Sequence, residues 1–302
     1  MTPRTPGDRR DMASVTVVIP AYNSASFLEE TLRSALEQSD PPESIIVVDD
    51  ESSDDSFAVA REMAATHPSI HAVQRRNGGA CAARNTGLAM AETEFVLFLD
   101  ADDRLLPRAI EHHLGVMAQH SDAVMVFGSN HVISTDGVRL RENVVPEREV
   151  TLEDLAMAVT LCASQCLYRR SAVQQVGGMN ETLSDGLDLN MRLARLGKII
   201  SYPEFVMEYR KHPGQVTRNR VIMARRHLRA LALNIGPKSA KPDPALYQRA
   251  RRKWLARYGH GQDRAALGAL RHGRFREVIP ATRLALAGYW ARIRRAEWHT
   301  EH

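Results

Sequence analysis

Residues 15–55 read VTVVIPAYNSASFLEETLRSALEQSDPPESIIVVDDESSDD, and this stretch decides the fold class. It opens with a short β-branched apolar run, Val15 to Ile19, closed by Pro20. Phe27, Leu28, Thr31, Leu32, Ala35 and Leu36 then fall on one helical stripe. Ser26 with Glu29 three residues on predicts a capping box at the helix start, and Pro41-Pro42 marks its stop. Ile45 to Asp49 is a second buried strand, followed by an expected helix over 53–65.

The alternation continues outward. Ile70 to Gln74 reads as a third strand, Ala80 to Ala91 as a third helix and Phe95 to Leu99 as a fourth strand. Continuously apolar strands alternating with amphipathic helices imply a parallel sheet covered on both faces. Past Pro107 the pattern predicts a helix to about Gln119, a strand over 123–127, a hairpin turn at Asp136-Gly137, a helix over 187–196 ended by Gly197, and a strand over 199–202, so the second half is a mixed sheet. From Arg218 onward Leu, Ala and Arg dominate and helices are expected, with the proline-rich segment 237–244 as a linker. The expected division is a flexible start (1–14), one α/β domain (15–236) with halves at about 15–104 and 105–236, and a basic helical extension (237–302).

The chain of 302 residues is 44% hydrophobic and 25% charged, which excludes a disulfide-dense miniprotein and a chain disordered throughout. Its net charge of +4 is too small to define a nucleic-acid binder. The distribution is uneven: residues 245–302 hold 13 Lys/Arg and 4 Asp/Glu, a net +9, leaving −5 on residues 1–244. Cys81, Cys162 and Cys166 form no paired framework and lack zinc-ligand spacing, which fits a reducing compartment and buried thiols. The uncharged run 155–168 is 14 residues, contains Thr, Ser and Gln, and is too short and polar for a membrane span. The expectation is a soluble cytoplasmic protein.

In parallel sheets ligands bind beyond the carboxyl ends of the strands, so chemistry is sought there. LDADD (99–103) places three carboxylates within four residues; their repulsion is relieved by a hard divalent cation, and all-oxygen ligands favour magnesium, manganese or calcium over zinc. A solvated turn capping the next helix is the plainer alternative. VDDESSDD (48–55) puts a second acidic cluster where a carboxylate can accept from a nucleobase N–H or a ribose hydroxyl. PAYN (20–23) offers Tyr22 for stacking on a base and Asn23 for bonding its own turn. NGGACAARNTG (77–87) supplies a glycine turn and then Arg84, a cation suited to a phosphate-bearing ligand. Each cluster alone has a bland reading; four at successive strand ends point to one site.

VIPAYN, VVDDESSDD, NGGACAARNTG and LDADD, in this order and spacing, resemble the N-terminal half of family 2 glycosyltransferases with the GT-A fold. The likeness continues through VGGMNETL (176–183), DLNMRLARLG (188–197) and YRKHPGQVTRN (209–219), so it covers roughly residues 15–220. The resemblance implies a mostly parallel central sheet flanked by helices. It also implies inverting transfer of one sugar from a UDP-, dTDP- or GDP-linked donor to an acceptor hydroxyl on a glycan, a lipid-linked carrier or a small molecule. In that carry-over Pro20, Tyr22, Asn23 and Asp50 lie along the base and ribose, Arg84 lies near the nucleotide, and Asp100 approaches the ribose or sugar hydroxyls. Asp102 would bind Mn2+ or Mg2+, with Asp103 adjacent and His212 near the diphosphate or metal.

The chain departs from the family pattern at the general base. Strict alignment on Asp188-Leu189 puts Gly186 at that position; a one-residue slip puts Asp185 there. Asp185 is therefore the first candidate and Asp188 the second, against a helix cap and a structural salt bridge respectively. If Gly186 marks a lost base, the protein would bind a nucleotide sugar without transferring it, as a partner or regulatory subunit. In the tail, aromatic residues among basic ones fit either helices packing a Leu/Ala face or peripheral contact with the inner membrane face; helix-like spacing of Leu267, Leu270, Val278 and Leu284 favours packing.

Overall fold

The computed structural model describes residues 14–157, 161–183, 186–215, 219–262, 265 and 275–298. They divide into two compact units, the first comprising residues up to 150 with 161–189 and 193–212, the second 151–160, 190–192 and 213 onward.

The first unit is a mixed α/β structure with a central ten-stranded sheet. Its leading half runs β1 (Val15–Ala21), α1 (Ala25–Leu36), β2 (Ser44–Asp49), α2 (Ser56–Thr66), β3 (Ile70–Gln74), α3 (Ala80–Met90) and β4 (Phe95–Phe98). β1 pairs in parallel with β2 and β4, and β2 with β3, as the apolar runs predict. α1 buries Leu28, Leu32 and Ala35 against β1 and β2 residues such as Val17, Ile19 and Val47. Each fully buried leucine contributes about 2 kcal/mol.

Two helix starts differ from the sequence expectation. The helix α1 begins two residues earlier than the Ser26 box requires, with Ser24 as N-cap and no side-chain cap. The Ser24 hydroxyl bonds the Tyr22 carbonyl instead, while Asp54 accepts from the Ala25 amide across the loops. α2 begins at Ser56 instead of Ser53, with Asp55 as N-cap, because Ser53 is held by Asn23 and Asp54 accepts from the Ser56 amide.

The second half of the sheet is mixed, as expected. It comprises β5 (Arg104–Leu105), α4 (Ala109–Gln119), β6 (Ala123–Ile133), β7 (Arg139–Asn143), β8 (Arg148–Glu149), β9 (Cys166–Arg169), α6 (Arg170–Gln175), α7 (Gly186–Leu193) and β10 (Lys198–Arg210). The turn between β6 and β7 contains Gly137 at φ 80°, as Asp136-Gly137 predicts. Both long strands outrun their apolar cores. β6 continues through buried Ser129, Asn130 and His131, and β10 through Pro203 and Glu204 with register shifts. α7 ends at Leu193, three residues before the Leu196 expected, where the Leu196 and Gly197 amides close on the Leu193 carbonyl. β4 is antiparallel to β9 and β9 to β6, whereas β6 is parallel to β10. Two reversals restore direction, so β4 and β10 end on the same side of the sheet.

The second unit is helical: α5 (Leu152–Ala156), α8 (Arg220–Asn234), α9 (Pro244–Gly259) and α10 (Phe275–Trp298). The proline-rich segment lies between α8 and α9, where Asp243 caps α9 and Pro244 takes its first position. Trp254 is fully buried, donates to the Ala156 carbonyl at 2.7 Å and packs on His227 and Tyr258. α9 and α10 cross at Gly259 and Gly288, where a Cβ on either would sit under 3 Å from the other's backbone.

Candidate active site

The loops after β1 and β2 are stitched together. Asn23, at φ 49°, accepts from the Ser53 amide at 2.8 Å, and its own amide donates to Ser52 Oγ. Burial pushes the Asp54 carboxyl up, but bonds from the Ser56 hydroxyl and amide and the Ala25 amide hold it below the ordinary range. Above this frame Pro20 is half-buried and Tyr22 is 55% exposed, its ring available to a planar partner.

Asp50 is buried, and both its oxygens are occupied. Arg75 donates to it at 2.6 Å, the Gly78 amide at 3.0 Å and the Gly79 amide at 2.6 Å. Asn77 adds a bond to the Asp50 carbonyl. The carboxylate therefore fastens the turn that opens α3, where Gly79 takes φ 88°, a conformation suited to glycine. Arg84, one turn into α3, is itself buried and ion-paired with Asp100.

The acidic segment after β4 forms the centre of the site. Ligand oxygens of Asp100, Asp102 and Asp103 lie within 4.8 Å of one another. β5 pairs antiparallel with β10 through Leu105 and Met207, which draws the residues before β5 against the end of β10. His212 Nε2 thus lies 2.8 Å from Asp102 Oδ2, and its ring is tilted against Phe27 at 5.1 Å. Thr31 on α1 bonds the Ala101 and Asp103 carbonyls and fixes the turn.

The three carboxylates differ in burial. Asp100 and Asp102 side chains are 30% and 26% exposed, whereas Asp103 is fully buried. Asp103 accepts from Ser164 Oγ at 2.7 Å and from the Arg210 amide at 3.0 Å, and the same Ser164 oxygen accepts from the Asp100 amide. Burial, then the Asp100 charge, pushes the Asp102 carboxyl above its ordinary range despite His212. Burial, then Asp102 and Asp100, pushes Asp103 well above it. Carboxylates so crowded and desolvated gain from a hard cation, and two of them with a neighbouring imidazole are reachable, so the donor set fits Mg2+ or Mn2+.

Arg210 is 2% exposed and does not face the cleft as a free cation. Its guanidinium donates to the Asp102 carbonyl at 2.9 Å, to the Thr135 carbonyl at 2.7 Å and to Glu30, and lies 5.0 Å over the Phe27 ring. It braces the acidic turn from below. Sequence reasoning missed this bracing and missed Ser164, which lies in an uncharged run with no motif around it.

Of the candidate bases, Asp185 lies outside the described residues. Asp188, in the first turn of α7, is buried at 2% exposure. Among the described residues no other atom lies within 4 Å of a Cβ placed on Gly186 beyond its own helix backbone, so a side chain would have room there. The site as described thus gathers Tyr22, Asn23, Asp100, Asp102, Asp103 and His212 at one sheet edge, with Asp50 and Arg84 packed beneath it.

A profile described as glycosyl transferase family 2 matches residues 16–177. The chondroitin synthase of Escherichia coli is 27% identical over 208 residues, covering 69% of this chain but 29% of that protein. The putative teichuronic acid biosynthesis glycosyltransferase TuaG of Bacillus subtilis (strain 168) is 27% identical over 208 residues, 68% of this chain and 82% of that one. Among solved structures, S. aureus TarS 1–349 in complex with UDP superposes with a TM-score of 0.61 at 19% identity, covering 84% of this chain and 75% of that one. Its complex with UDP-GlcNAc gives 0.59 at 18% identity, covering 88% and 89%. The structural likeness is one of fold, the GT-A architecture.

Proposed function

The chain belongs to glycosyl transferase family 2 and is a glycosyltransferase, and from that premise we propose that it transfers one sugar, with inversion, from a nucleotide-diphosphate donor to a hydroxyl of a glycan or lipid-linked acceptor. The observation that carries this reading is the meeting of Asp100, Asp102 and His212, from two strand ends more than a hundred residues apart, beside an exposed Tyr22. UDP is favoured among the donor nucleotides because the TarS neighbours are complexes with UDP and UDP-GlcNAc. Relatives named for chondroitin and teichuronic acid favour a polysaccharide or its lipid-linked precursor as acceptor. The nucleotide half is assigned to about 15–104 and the acceptor half to 105–236.

In this mechanism Tyr22 stacks on the base, while Pro20 and Asn23 shape the loop beneath it. Asp50 acts through the Gly78-Gly79 turn and Arg84 through Asp100; both are positioning residues. Asp102, with Asp100 and His212, would hold Mg2+ or Mn2+, and Asp103 with Arg210 and Ser164 keeps that turn in place. A divalent cation held there supplies Lewis-acid neutralisation of the charge that grows on the departing diphosphate. Asp185, just ahead of α7, takes the proton from the acceptor hydroxyl as the sugar's anomeric carbon is attacked from the opposite face. Buried Asp188 is less suited to that task.

Gly186 at the aligned position of the base favours one other reading, a protein that binds the donor without transferring it. A screen of nucleotide sugars with manganese or magnesium, scoring melting temperature and nucleoside diphosphate release together, separates the two. Transfer predicts both a shift and acceptor-dependent release. A shift without release for any acceptor supports the binding protein, and neither for any donor contradicts both readings.

A further inference from the structure

Residues 213–302 carry 20 Lys/Arg against 5 Asp/Glu, a net +15, while residues 1–212 carry 20 against 31, a net −11. The positive charge thus gathers in the helical unit. α9 exposes Arg251, Lys253 and Arg257, and α10 exposes Arg283.

α10 has two dissimilar faces. Ala281, Leu284, Gly288 and Ala291, spaced by three and four, are buried with α9 and α8 residues including Leu255 and Ala224. Ile279, Leu286 and Trp290 follow at i, i+7 and i+11 on another side, with Tyr289 beside them, and are 61%, 55%, 59% and 54% exposed. The helix already satisfies its packing through the small-residue face. Four large apolar side chains left in water on one helix are more than scattered exposure, and such a patch marks an interaction surface.

We propose that this face of α10 lies on an anionic lipid bilayer, with Leu286, Ile279 and the Trp290 and Tyr289 rings entering the headgroup boundary and the surrounding Arg and Lys on anionic phosphates. The helix has 24 residues, and none of the described helices is long and apolar enough to cross a membrane, so it lies along the surface. Tyr and Trp suit that boundary because each joins an apolar ring to a polar edge. Charge decides among occupants. A second copy packed face to face through the same helix would bring +15 against +15, whereas anionic lipid is complementary and supplies apolar depth as well. Apolar insertion and polybasic attraction together give the two signals that stable peripheral binding needs.

The test is sedimentation of the full chain with vesicles of phosphatidylcholine alone or with ~30% phosphatidylglycerol, at ~0.15 M and ~0.5 M salt. The protein should pellet with anionic vesicles at low salt, stay soluble with neutral ones, and be released by salt. The Leu286→Ser/Trp290→Ser variant changes exposed positions, so its melting temperature should hold while its partition into anionic vesicles falls about tenfold or more. Three results overturn the proposal: no pelleting with anionic vesicles, as expected if a protein partner covers the face; equal pelleting of wild type and variant, which leaves charge alone; or a wild-type dimer by light scattering that the variant dissolves. None of these touches the donor site, so the two proposals fail independently.

Discussion

Asp100, Asp102 and Asp103 sit within one turn but in three environments. Asp100 is held by Arg84, Asp102 by His212, and Asp103 by Ser164 and the Arg210 amide. The sequence shows three equivalent acids; only burial separates the two reachable ones from the one that anchors the turn. Asp50 teaches the same lesson, since its position after β2 suggests a ligand contact and its bonds to Arg75, Gly78 and Gly79 make it a fastener. The proposed base is tested at this scale. Asp185→Asn should lower acceptor-dependent turnover by ~10²–10⁴ while donor binding stays unchanged, the usual contribution of a general base. Because Gly186 has open space, adding Gly186→Asp to that variant should restore part of the rate. Full activity of Asp185→Asn would remove it from the role.

Elements of the leading half were legible because each strand is an uninterrupted apolar run and each helix a single stripe. The parallel register then follows from burial of both faces. In the second half the starts of the strands were legible but not their lengths, because β6 and β10 carry buried polar residues that only partners in the β7–β8 connection explain: Ser129 accepts from the Val145 amide and Ser201 donates to the Pro146 carbonyl. β5, two residues long, has no sequence signature, yet its pairing with β10 brings His212 to Asp102.

The packing of α4 on β10 gives a second prediction. His113 is fully buried, with Nδ1 2.6 Å from the Tyr202 hydroxyl and Nε2 without a hydrogen-bond partner among the described residues. Burial, then His112, pushes its imidazole down to about 3. A folded value below the unfolded one means the unfolded chain binds the proton first, so this contribution is complete above the ordinary value of 6.5 and lost as pH falls toward 3. Between pH 7 and 5 it amounts to about 2 kcal/mol. Urea unfolding of wild type and His113→Gln at both pH values checks this, since raised carboxyls such as Asp103 act oppositely but equally in both proteins. The variant should lose less stability on acidification. Equal losses would contradict the assignment.

Across the whole molecule, the net +4 conceals an acidic α/β unit and a strongly basic helical one. Composition alone showed the asymmetry, and helical spacing showed that part of the tail packs. What spacing could not show was that the tail's aromatics divide, Trp254 and Tyr258 inward, Tyr289 and Trp290 outward, because that depends on which face of α10 meets α9. The proposed transfer stands on the acidic turn after β4 receiving the diphosphate of a nucleotide sugar with a divalent cation. The most direct measurement is titration calorimetry of UDP into wild type and Asp102→Asn, each with and without manganese. Binding to the wild type should depend on manganese, tightened about tenfold or more by the ion, with little manganese effect in the variant. Equal manganese dependence in both proteins would contradict it.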